Sequence, residues 1–191
     1  MIHPLADVEE GAFVHETAKV WRWTHVRTGA RIEENASLGE FCHVDEGVVA
    51  PRGCRLQNRV SLPRGVLLAE NVFVGEGVIF TNDKYPRASP AHHQNWVPAP
   101  TRIGQGATLG AGAVILPVTI GRFAMVGAGA VVTRAVQEHE LVYGNPARRQ
   151  GYVCRCGQPL LRIVDTEDRF YWCAECGLTL TDLRGEGYDE H

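Results

Sequence analysis

The chain has 191 residues, of which 45% are hydrophobic, so it can bury a substantial core as one main domain with a small appendage. Nineteen Lys and Arg residues against 22 Asp and Glu residues give a formal charge of −3, which argues against nucleic acid as a partner. The opening stretch MIHPLADVEEGAFVHE is acidic where a signal peptide is basic, and no segment reaches transmembrane length. We therefore expect a cytoplasmic protein with no membrane partner.

Apolar residues recur at every sixth position from Ile2 to Phe80, and small or β-branched residues form a second series two positions earlier. Because residues i−2 and i of a strand point to the same side, each hexapeptide sends one small and one large side chain inward. Neither a helix nor a hairpin sheet has this period, so the sequence predicts stacked coils around one apolar column. Cys42 and Cys54 fall in the small series and are expected to be core residues.

The repeat is interrupted at residues 81–102, TNDKYPRASPAHHQNWVPAPTR, whose four prolines predict a loop that projects from the coils. His92 and His93 in this loop have no assignable role. The repeat resumes at Ile103 and slips by one residue within ILPVTIG at 115–121, which predicts one tightened coil.

Three hexapeptides per coil place residue n beside residue n+18, about 4.8 Å away. Asp7, His25, His43 and Ser61 then form one outward row, and Asn82 lies in a column three positions along. Histidines beside an acid can transfer a proton near neutral pH, although they can also be solvated surface residues.

The segments LGAGAVI and VGAGAVV resemble the hexapeptide-repeat acyltransferases. Three further motifs, VWRWTHVRTGARI at 20–32, FTNDKYPR at 80–87 and VYGNPARR at 142–149, are similar to N-acetyltransferases of 3-amino sugars linked to UDP or dTDP. The resemblance implies an all-β, left-handed parallel β-helix and a homotrimer with active sites between subunits. It also implies acetyl transfer from acetyl-CoA to the amine, with C3 favoured, of a nucleotide-linked sugar used in surface polysaccharide or lipopolysaccharide biosynthesis.

In the resembled enzymes the Asn of the FTN motif contacts the sugar amine, which gives Asn82 that role here. Its side-chain carbonyl would orient the amine, although an Asn at this position could also simply cap the turn. His25 is then the candidate for taking the proton of the amine. The expected substrate contacts are Asp83, Tyr85, Arg87 and His43.

Acetyl-CoA is expected along the small residues of two late coils, where its pantetheine arm could approach the backbone, although glycine here is also needed for turning. These residues are Gly110, Ala111, Gly112, Gly127, Ala128 and Gly129. Arg148 and Arg149 are plausible partners for the CoA phosphates, because a guanidinium fork suits phosphate oxygens.

Two cysteine pairs, each followed by glycine, occur near the C-terminus: Cys154 and Cys156, then Cys173 and Cys176. Four thiolates on tight turns predict a structural zinc ribbon, with free thiols or a redox pair as the alternative. The chain thus divides into a β-helix at 1–134, a closing segment with the GNPAR motif at 135–151 and a zinc-ribbon-like tail at 152–191.

Three other functions are compatible with parts of this pattern. An O-acetyltransferase of the same fold would need an essential histidine with an acidic partner, because a hydroxyl must be deprotonated. A zinc-dependent hydratase resembling the γ-class carbonic anhydrases would need a His-x4-His spacing that the chain lacks. A non-catalytic scaffold would leave the loop motif unexplained.

If the sugar carries a carboxylate, the candidate partners are Arg22, Arg27, Arg31 and Arg87.

Overall fold

The computed structural model describes residues 1–89, 96–163 and 170–181. Within these ranges the regular secondary structure consists of β-strands. No helix in them is long and apolar enough to cross a membrane. His92 and His93 lie outside the described residues.

The repeat forms a solenoid with three strands per coil, one on each of three faces. The first face carries β1 (Asp7–Val8), β4 (His25–Val26), β7 (His43–Val44), β10 (Ser61–Leu62), β13 (Ile79–Phe80), β16 (Val114–Ile115) and β19 (Val131–Val132). The second face carries β2 (Phe13–Val14), β5 (Arg31–Ile32), β8 (Val49–Ala50), β11 (Val66–Leu68), β14 (Thr101–Ile103) and β17 (Thr119–Ile120). The third face carries β3 (Lys19–Val20), β6 (Ser37–Leu38), β9 (Arg55–Leu56), β12 (Phe73–Val74), β15 (Thr108–Leu109), β18 (Met125–Val126) and β20 (Glu140–Gly144).

The chain after the solenoid turns back on itself. Strand β21 (Ala147–Tyr152) pairs antiparallel with β20 and extends the sheet of the third face. The tail then forms a separate antiparallel sheet of β22 (Leu161–Ile163), β23 (Phe170–Trp172) and β24 (Thr179–Thr181).

Strands one coil apart pair in parallel, as the hexapeptide period predicts. Asp7 lies beside His25, His25 beside His43, and His43 beside Ser61. The predicted all-β, parallel solenoid is therefore confirmed, and the left-handed sense of its coils stays a prediction.

Both inward series are buried over most of the solenoid, and the large series is represented by the fully buried Leu38 and Leu56. Cys42 and Cys54 are buried free thiols, which confirms them as core residues. Ile2 is 48% exposed, because it lies at the end of the stack.

The loop ends earlier than predicted. Strand β14 begins at Thr101, because residues 101–103 pair with residues 66–68 one coil below and so belong to the solenoid. Beyond the loop, Arg102 lies beside Thr119, 17 positions on rather than 18, which confirms the tightened coil. A second shortening follows, since Met125 lies beside Leu141, 16 positions on.

The coil stacking generates a stability prediction at Gly104. A Cβ atom there would lie 2.6 Å from the backbone nitrogen of Arg122, which cannot retreat without breaking the pairing between coils. We expect Gly104→Ala to lower the free energy of unfolding by about 1–3 kcal/mol, as overpacking does elsewhere. Gly151→Ala is the matched control, because nothing lies within 4 Å of its Cβ position. Urea denaturation measures both variants, and equal stability would contradict the close packing of the coils.

Candidate functional site

The histidine row, defined as Asp7, His25, His43 and Ser61, crosses the first face of the solenoid. The rings of His25 and His43 have centroids 5.1 Å apart with an interplanar angle of 60°. Burial lowers the pKa of His43, and the charge of His25 lowers it further. The row therefore favours a neutral imidazole at position 43.

His25 is paired with an acid that is itself fixed in place. Its Nε2 lies 2.8 Å from Oε1 of Glu9, and Oε2 of Glu9 accepts a hydrogen bond from the backbone N–H of Thr28 at 2.7 Å. The hydrogen bond from Thr28 and then that from His25 lower the pKa of Glu9, so the carboxylate stays ionised. Because Nε2 faces this carboxylate, Nδ1 is the nitrogen of His25 left to meet another group.

A line of alternating charges continues from Glu9 along the corner between the first and second faces. Nε of Arg27 lies 3.8 Å from Oε1 of Glu9, and its Nη1 lies 2.6 Å from Oδ1 of Asp45. Asp45 also accepts hydrogen bonds from the backbone N–H groups of Glu46 at 2.8 Å and Arg64 at 3.3 Å. Burial alone would raise the pKa of Asp45, but the hydrogen bonds from Glu46 and Arg27 outweigh burial and hold the pKa below its usual value.

Asn82 fixes the base of the loop at the same corner. Its backbone carbonyl accepts a hydrogen bond from the N–H of Ala99 at 2.8 Å, which closes the loop. Its side-chain Nδ2 donates to the backbone carbonyl of Arg64 at 3.1 Å. Because Nδ2 is engaged, Oδ1 is the amide atom left to accept a hydrogen bond from a ligand.

The fold does not bring Asn82 and His25 together within one chain. His25, His43 and Ser61 occupy successive coils, and strand β13, which begins at Ile79, lies beside β10 on the next coil. Asn82 follows Ile79 by three residues, so it lies about 14 Å from the level of His25 along the axis, given the usual spacing between paired strands. A single chain therefore cannot direct both side chains at one small reacting group.

The loop residues predicted to bind substrate take different positions. Asp83 accepts a hydrogen bond from the backbone N–H of Tyr85 at 2.8 Å and so shapes the first turn of the loop. Tyr85 is 70% exposed, with Nζ of Lys84 lying 5.6 Å from its ring centroid. Arg87 is exposed and donates to the carbonyl of Pro86 at 2.9 Å. Tyr85 and Arg87 are thus available to a ligand, whereas Asp83 supports the loop.

An open cavity of about 360 Å³ lies beside Arg64, the residue that holds the side chain of Asn82. Glu46 and Arg64 supply its charges, and aliphatic side chains supply the rest of its wall. The aliphatic members are Val48, Val49, Pro51, Val66, Leu67 and Leu68. A cavity of this size is at the lower end of those that hold small molecules.

The glycine corner, residues 110–112 and 127–129, lies between the third and first faces. Two of its glycines are required by coil packing. A Cβ atom at Gly110 would lie 2.4 Å from the backbone nitrogen of Ala128, and one at Gly127 would lie 2.7 Å from Cβ of Tyr143. These two glycines therefore have a structural reason to be small.

The outer residues of the glycine corner are open to solvent. Gly112 and Gly129 have φ of +68°, and nothing lies within 4 Å of the Cβ position of either. Ala111 and Ala128, which directly precede these two glycines, are exposed. The corner consequently presents a strip of exposed backbone with no large side chain, which an extended ligand could follow.

Arg148 and Arg149 lie beside this corner, on strand β21. The strand pairs with β20, which pairs in turn with β18, the strand that leads into Gly127. Arg149 donates to the hydroxyl of Tyr152 at 3.2 Å and lies 3.7 Å from Oε1 of Glu140. Arg148 is exposed and donates to the carbonyl of its neighbour Ala147 at 3.0 Å.

The four tail cysteines converge on one point. All four Sγ atoms lie within 4.8 Å of one another. Gly157 and Gly177 have positive φ values of 89° and 70° and donate to the carbonyls of Cys154 and Cys173, so each glycine closes the turn that carries a cysteine pair. The positions of these glycines in the sequence thereby have a physical cause.

The thiol cluster fits a four-coordinate zinc ion. Zn–S bonds of about 2.3 Å place tetrahedral sulfurs about 3.8 Å apart, and the observed pairs Cys154–Cys176 and Cys156–Cys173 are separated by 3.4 and 3.6 Å. Burial raises the pKa of Cys154, whereas the backbone N–H of Cys176 lowers the pKa of Cys173. Four protein ligands would leave no open position, which is typical of a structural site.

Glu9 and Asp45 were not predicted from the sequence as members of the site, although the sequence contains a signal for both. Glu9, Arg27 and Asp45 are 18 residues apart and so occupy one column with alternating charge. The structure gives three of the candidate arginines acidic partners within the chain. Arg27 forms ion pairs with Glu9 and Asp45, whereas Arg22 pairs with an acid one coil on at 2.7 Å, and Arg31 pairs with the acid two residues on at 2.8 Å.

Part of the chain matches known hexapeptide-repeat proteins, in agreement with the repeat seen in the structure. Residues 100–134 match the family model described as the hexapeptide repeat of succinyl-transferase. A stretch of 68 residues is 36% identical to the dTDP-3-amino-3,6-dideoxy-alpha-D-galactopyranose 3-N-acetyltransferase of Aneurinibacillus thermoaerophilus. The match covers 35% of this chain and 35% of that protein, so the chain spans about a third of that relative.

Two solved structures resemble the solenoid. A hexapeptide transferase family protein from Anaplasma phagocytophilum has 18% identity and a TM-score of 0.50, over 78% of this chain and 80% of that chain. The UDP-N-acetylglucosamine acyltransferase from Campylobacter jejuni has 13% identity and a TM-score of 0.48, over 80% of this chain and 75% of that chain. The first of these similarities supports the fold, and the hexapeptide repeat predicted from the sequence is confirmed.

The environment of His43 generates a pH prediction. Its folded-state pKa is below the usual 6.5, so the unfolded chain takes up a proton first as the pH falls. We expect the free energy of unfolding to decrease as the pH drops below about 6.5, and His43→Gln to reduce this decrease. Urea denaturation at pH 7.5 and 5.5 measures the effect while the carboxylates stay ionised. His15→Gln is the control, because His15 follows β2 at the corner between the second and third faces, away from the histidine row. Identical pH dependence in the two variants would contradict the prediction.

Proposed function

We propose that the protein is an acetyl-CoA-dependent N-acetyltransferase acting on the amino group, at C3 by preference, of a UDP- or dTDP-linked amino sugar of surface polysaccharide biosynthesis. The observation that carries this proposal is the side chain of Asn82, whose Nδ2 is held by the carbonyl of Arg64. Its Oδ1 would then accept a hydrogen bond from the amine. The partial identity to a dTDP-amino-sugar N-acetyltransferase supports the same reaction class.

Asn82 acts in this reaction by orientation. A hydrogen bond from the amine to Oδ1 directs the nitrogen lone pair at the thioester carbonyl carbon of acetyl-CoA. The C–N bond then forms and the C–S bond breaks, so that the CoA sulfur leaves with the electron pair. The proton that the amine loses passes to the leaving CoA thiolate, so that CoA is released as its thiol. A neutral amine needs no protein base before it attacks.

The glycine corner is the proposed binding site for acetyl-CoA. Gly112 and Gly129 leave its outer surface open, so the pantetheine arm can lie against exposed backbone. Arg148, which is exposed on the neighbouring strand, and Arg149 would bind the CoA phosphates.

We propose that the protein is a homotrimer in which neighbouring subunits complete each site. Asn82 and His25 of one chain are too far apart to act on one amino group, so a second chain is needed if His25 takes the proton of the amine that Asn82 orients. Asp83, Tyr85 and Arg87 would contribute from the loop. Sedimentation that shows a monomer at micromolar concentration would exclude this arrangement.

A second candidate function is O-acetylation of a hydroxyl group. The pair formed by His25 and Glu9, with 2.8 Å between Nε2 and Oε1, favours it. A carboxylate fixes the orientation and the tautomer of a histidine, and a hydroxyl nucleophile requires a base held in this way. In that case Nδ1 of His25 would accept the hydroxyl proton.

Substitution of Asn82 tests the main proposal. We expect Asn82→Ala to lower kcat by about 100-fold with 3-amino sugar nucleotides, because misplacing a reacting group has effects of that order. CoA release from acetyl-CoA, measured with a thiol reagent against UDP- and dTDP-linked 3-amino and 3-hydroxy sugars, gives the rates. Asn35→Ala is the control, because Asn35 lies on the corner between the second and third faces, away from the site.

The same assay separates the two candidate functions. Turnover of a 3-hydroxy sugar that is abolished by His25→Gln, with Asn82→Ala active, would favour O-acetylation. A lack of turnover with every acceptor would contradict both proposals.

We further propose that Cys154, Cys156, Cys173 and Cys176 hold one structural zinc ion. The metal would supply a rigid tetrahedral link between the two turns of the tail, and the chain would supply all four ligands.

Metal analysis tests the zinc proposal. We expect about one zinc per chain by mass spectrometry of the purified protein, and loss of it in Cys173→Ala, because that thiol is fully buried in the cluster. Cys54→Ala is the matched control, since Cys54 is an equally buried thiol in the solenoid core. Metal-free protein in which all four tail thiols react freely would exclude the site.

A further inference from the structure

We infer that Asp45 is a positioning residue that holds Asn82 in its productive orientation. At the corner between the first and second faces, an acid then fixes a candidate site residue twice, once at Glu9 and once at Asp45. The inference rests on the proposed role of Asn82. It assigns a function to a side chain that the sequence pattern alone did not single out.

The support reaches Asn82 through a single residue, Arg64. Oδ2 of Asp45 accepts a hydrogen bond from the backbone N–H of Arg64 at 3.3 Å. The backbone carbonyl of Arg64 accepts the hydrogen bond from Nδ2 of Asn82 at 3.1 Å. Asp45 therefore fixes one end of residue 64, and Asn82 depends on the other end.

Asp45 is itself held rigidly. Its Oδ1 accepts hydrogen bonds from Nη1 of Arg27 at 2.6 Å and from the N–H of Glu46 at 2.8 Å. Its side chain is 19% exposed, so solvent competes little for these bonds. Three donors on one carboxylate leave it little freedom to turn, which is what a support for a ligand-orienting side chain requires.

The same arrangement occurs two coils earlier, at Glu9. One oxygen of Glu9 accepts a hydrogen bond from the N–H of Thr28, 19 residues on, and the other meets His25. One oxygen of Asp45 likewise accepts a hydrogen bond from the N–H of Arg64, also 19 residues on. The earlier acid supports the candidate base, and the later acid supports the candidate amine-binding side chain.

Arg27 lies between the two acids. It is 2.6 Å from Asp45 and 3.8 Å from Glu9, so one guanidinium forms ion pairs with both supporting carboxylates. The two supports are thus parts of one charged network that spans the successive coils between the histidine row and the loop.

Two variants of Asp45 test the inference in the full-length protein. We expect Asp45→Ala to lower kcat for the amino-sugar acceptor by about 10- to 100-fold while KM for acetyl-CoA changes less than about twofold, because the glycine corner that would bind the pantetheine arm lies at a different corner of the solenoid. Asp45→Asn keeps an acceptor oxygen for the N–H of Arg64 and should recover part of the loss. The control is Glu33→Ala, which removes the exposed 2.8 Å ion pair with Arg31 that has no contact with Asn82.

A readout independent of turnover separates this inference from the proposed function. The side-chain amide signals of Asn82 in selectively ¹⁵N-labelled protein are assigned by their loss in Asn82→Ala. They should shift in Asp45→Ala and stay in place in Glu33→Ala. Unchanged Asn82 signals in Asp45→Ala would overturn the inference. If the wild type acetylates no acceptor, the proposed function fails, and the amide signals alone decide whether Asp45 positions Asn82.

Discussion

The hydrogen-bonded stacking of one coil on the next is the constraint on which the rest of this structure depends. Each backbone amide of a short strand finds its partner in the adjacent coil, so residues 18 apart become neighbours. Side chains therefore form columns, and a column is either buried, as for Leu38 and Leu56, or outward, as for His25 and His43. Chemistry in this fold is built along columns rather than within one strand or loop.

The early and late coils of the solenoid differ in the residues at one corner. At the corner between the third and first faces, Trp23 and Phe41 adopt φ near 58° with their rings stacked 4.7 Å apart, whereas Gly112 and Gly129 occupy the same position in later coils. Bulky residues strain a left-handed turn, and glycine does not. The early coils thus have a filled corner beside a charged face, and the late coils have an open corner suited to an extended ligand.

The tail is joined to the late coils through direct contacts. The N–H of Val153 donates to the carbonyl of His139 at 2.8 Å, and Nδ1 of His139 donates back to the carbonyl of Val153 at 2.7 Å. Tyr152 packs edge-on against Tyr171 at 4.8 Å and accepts the hydrogen bond from Arg149. The thiol cluster and the strand that carries the arginines consequently share one packed unit, so order in the tail favours order beside the proposed cofactor site.

The sequence by itself determined the coil period, the buried series, the histidine row and the convergence of four cysteines, because a six-residue repeat maps directly onto neighbours in space. Only the tertiary structure decided which polar groups pair. In the structure Glu9 bonds His25, and Asp45 reaches Asn82 through hydrogen bonds to the two ends of residue 64. Asn82 also lies several coils away from the level of His25. These outcomes depend on side-chain directions and on donors contributed by the next coil, which a period in the sequence does not contain.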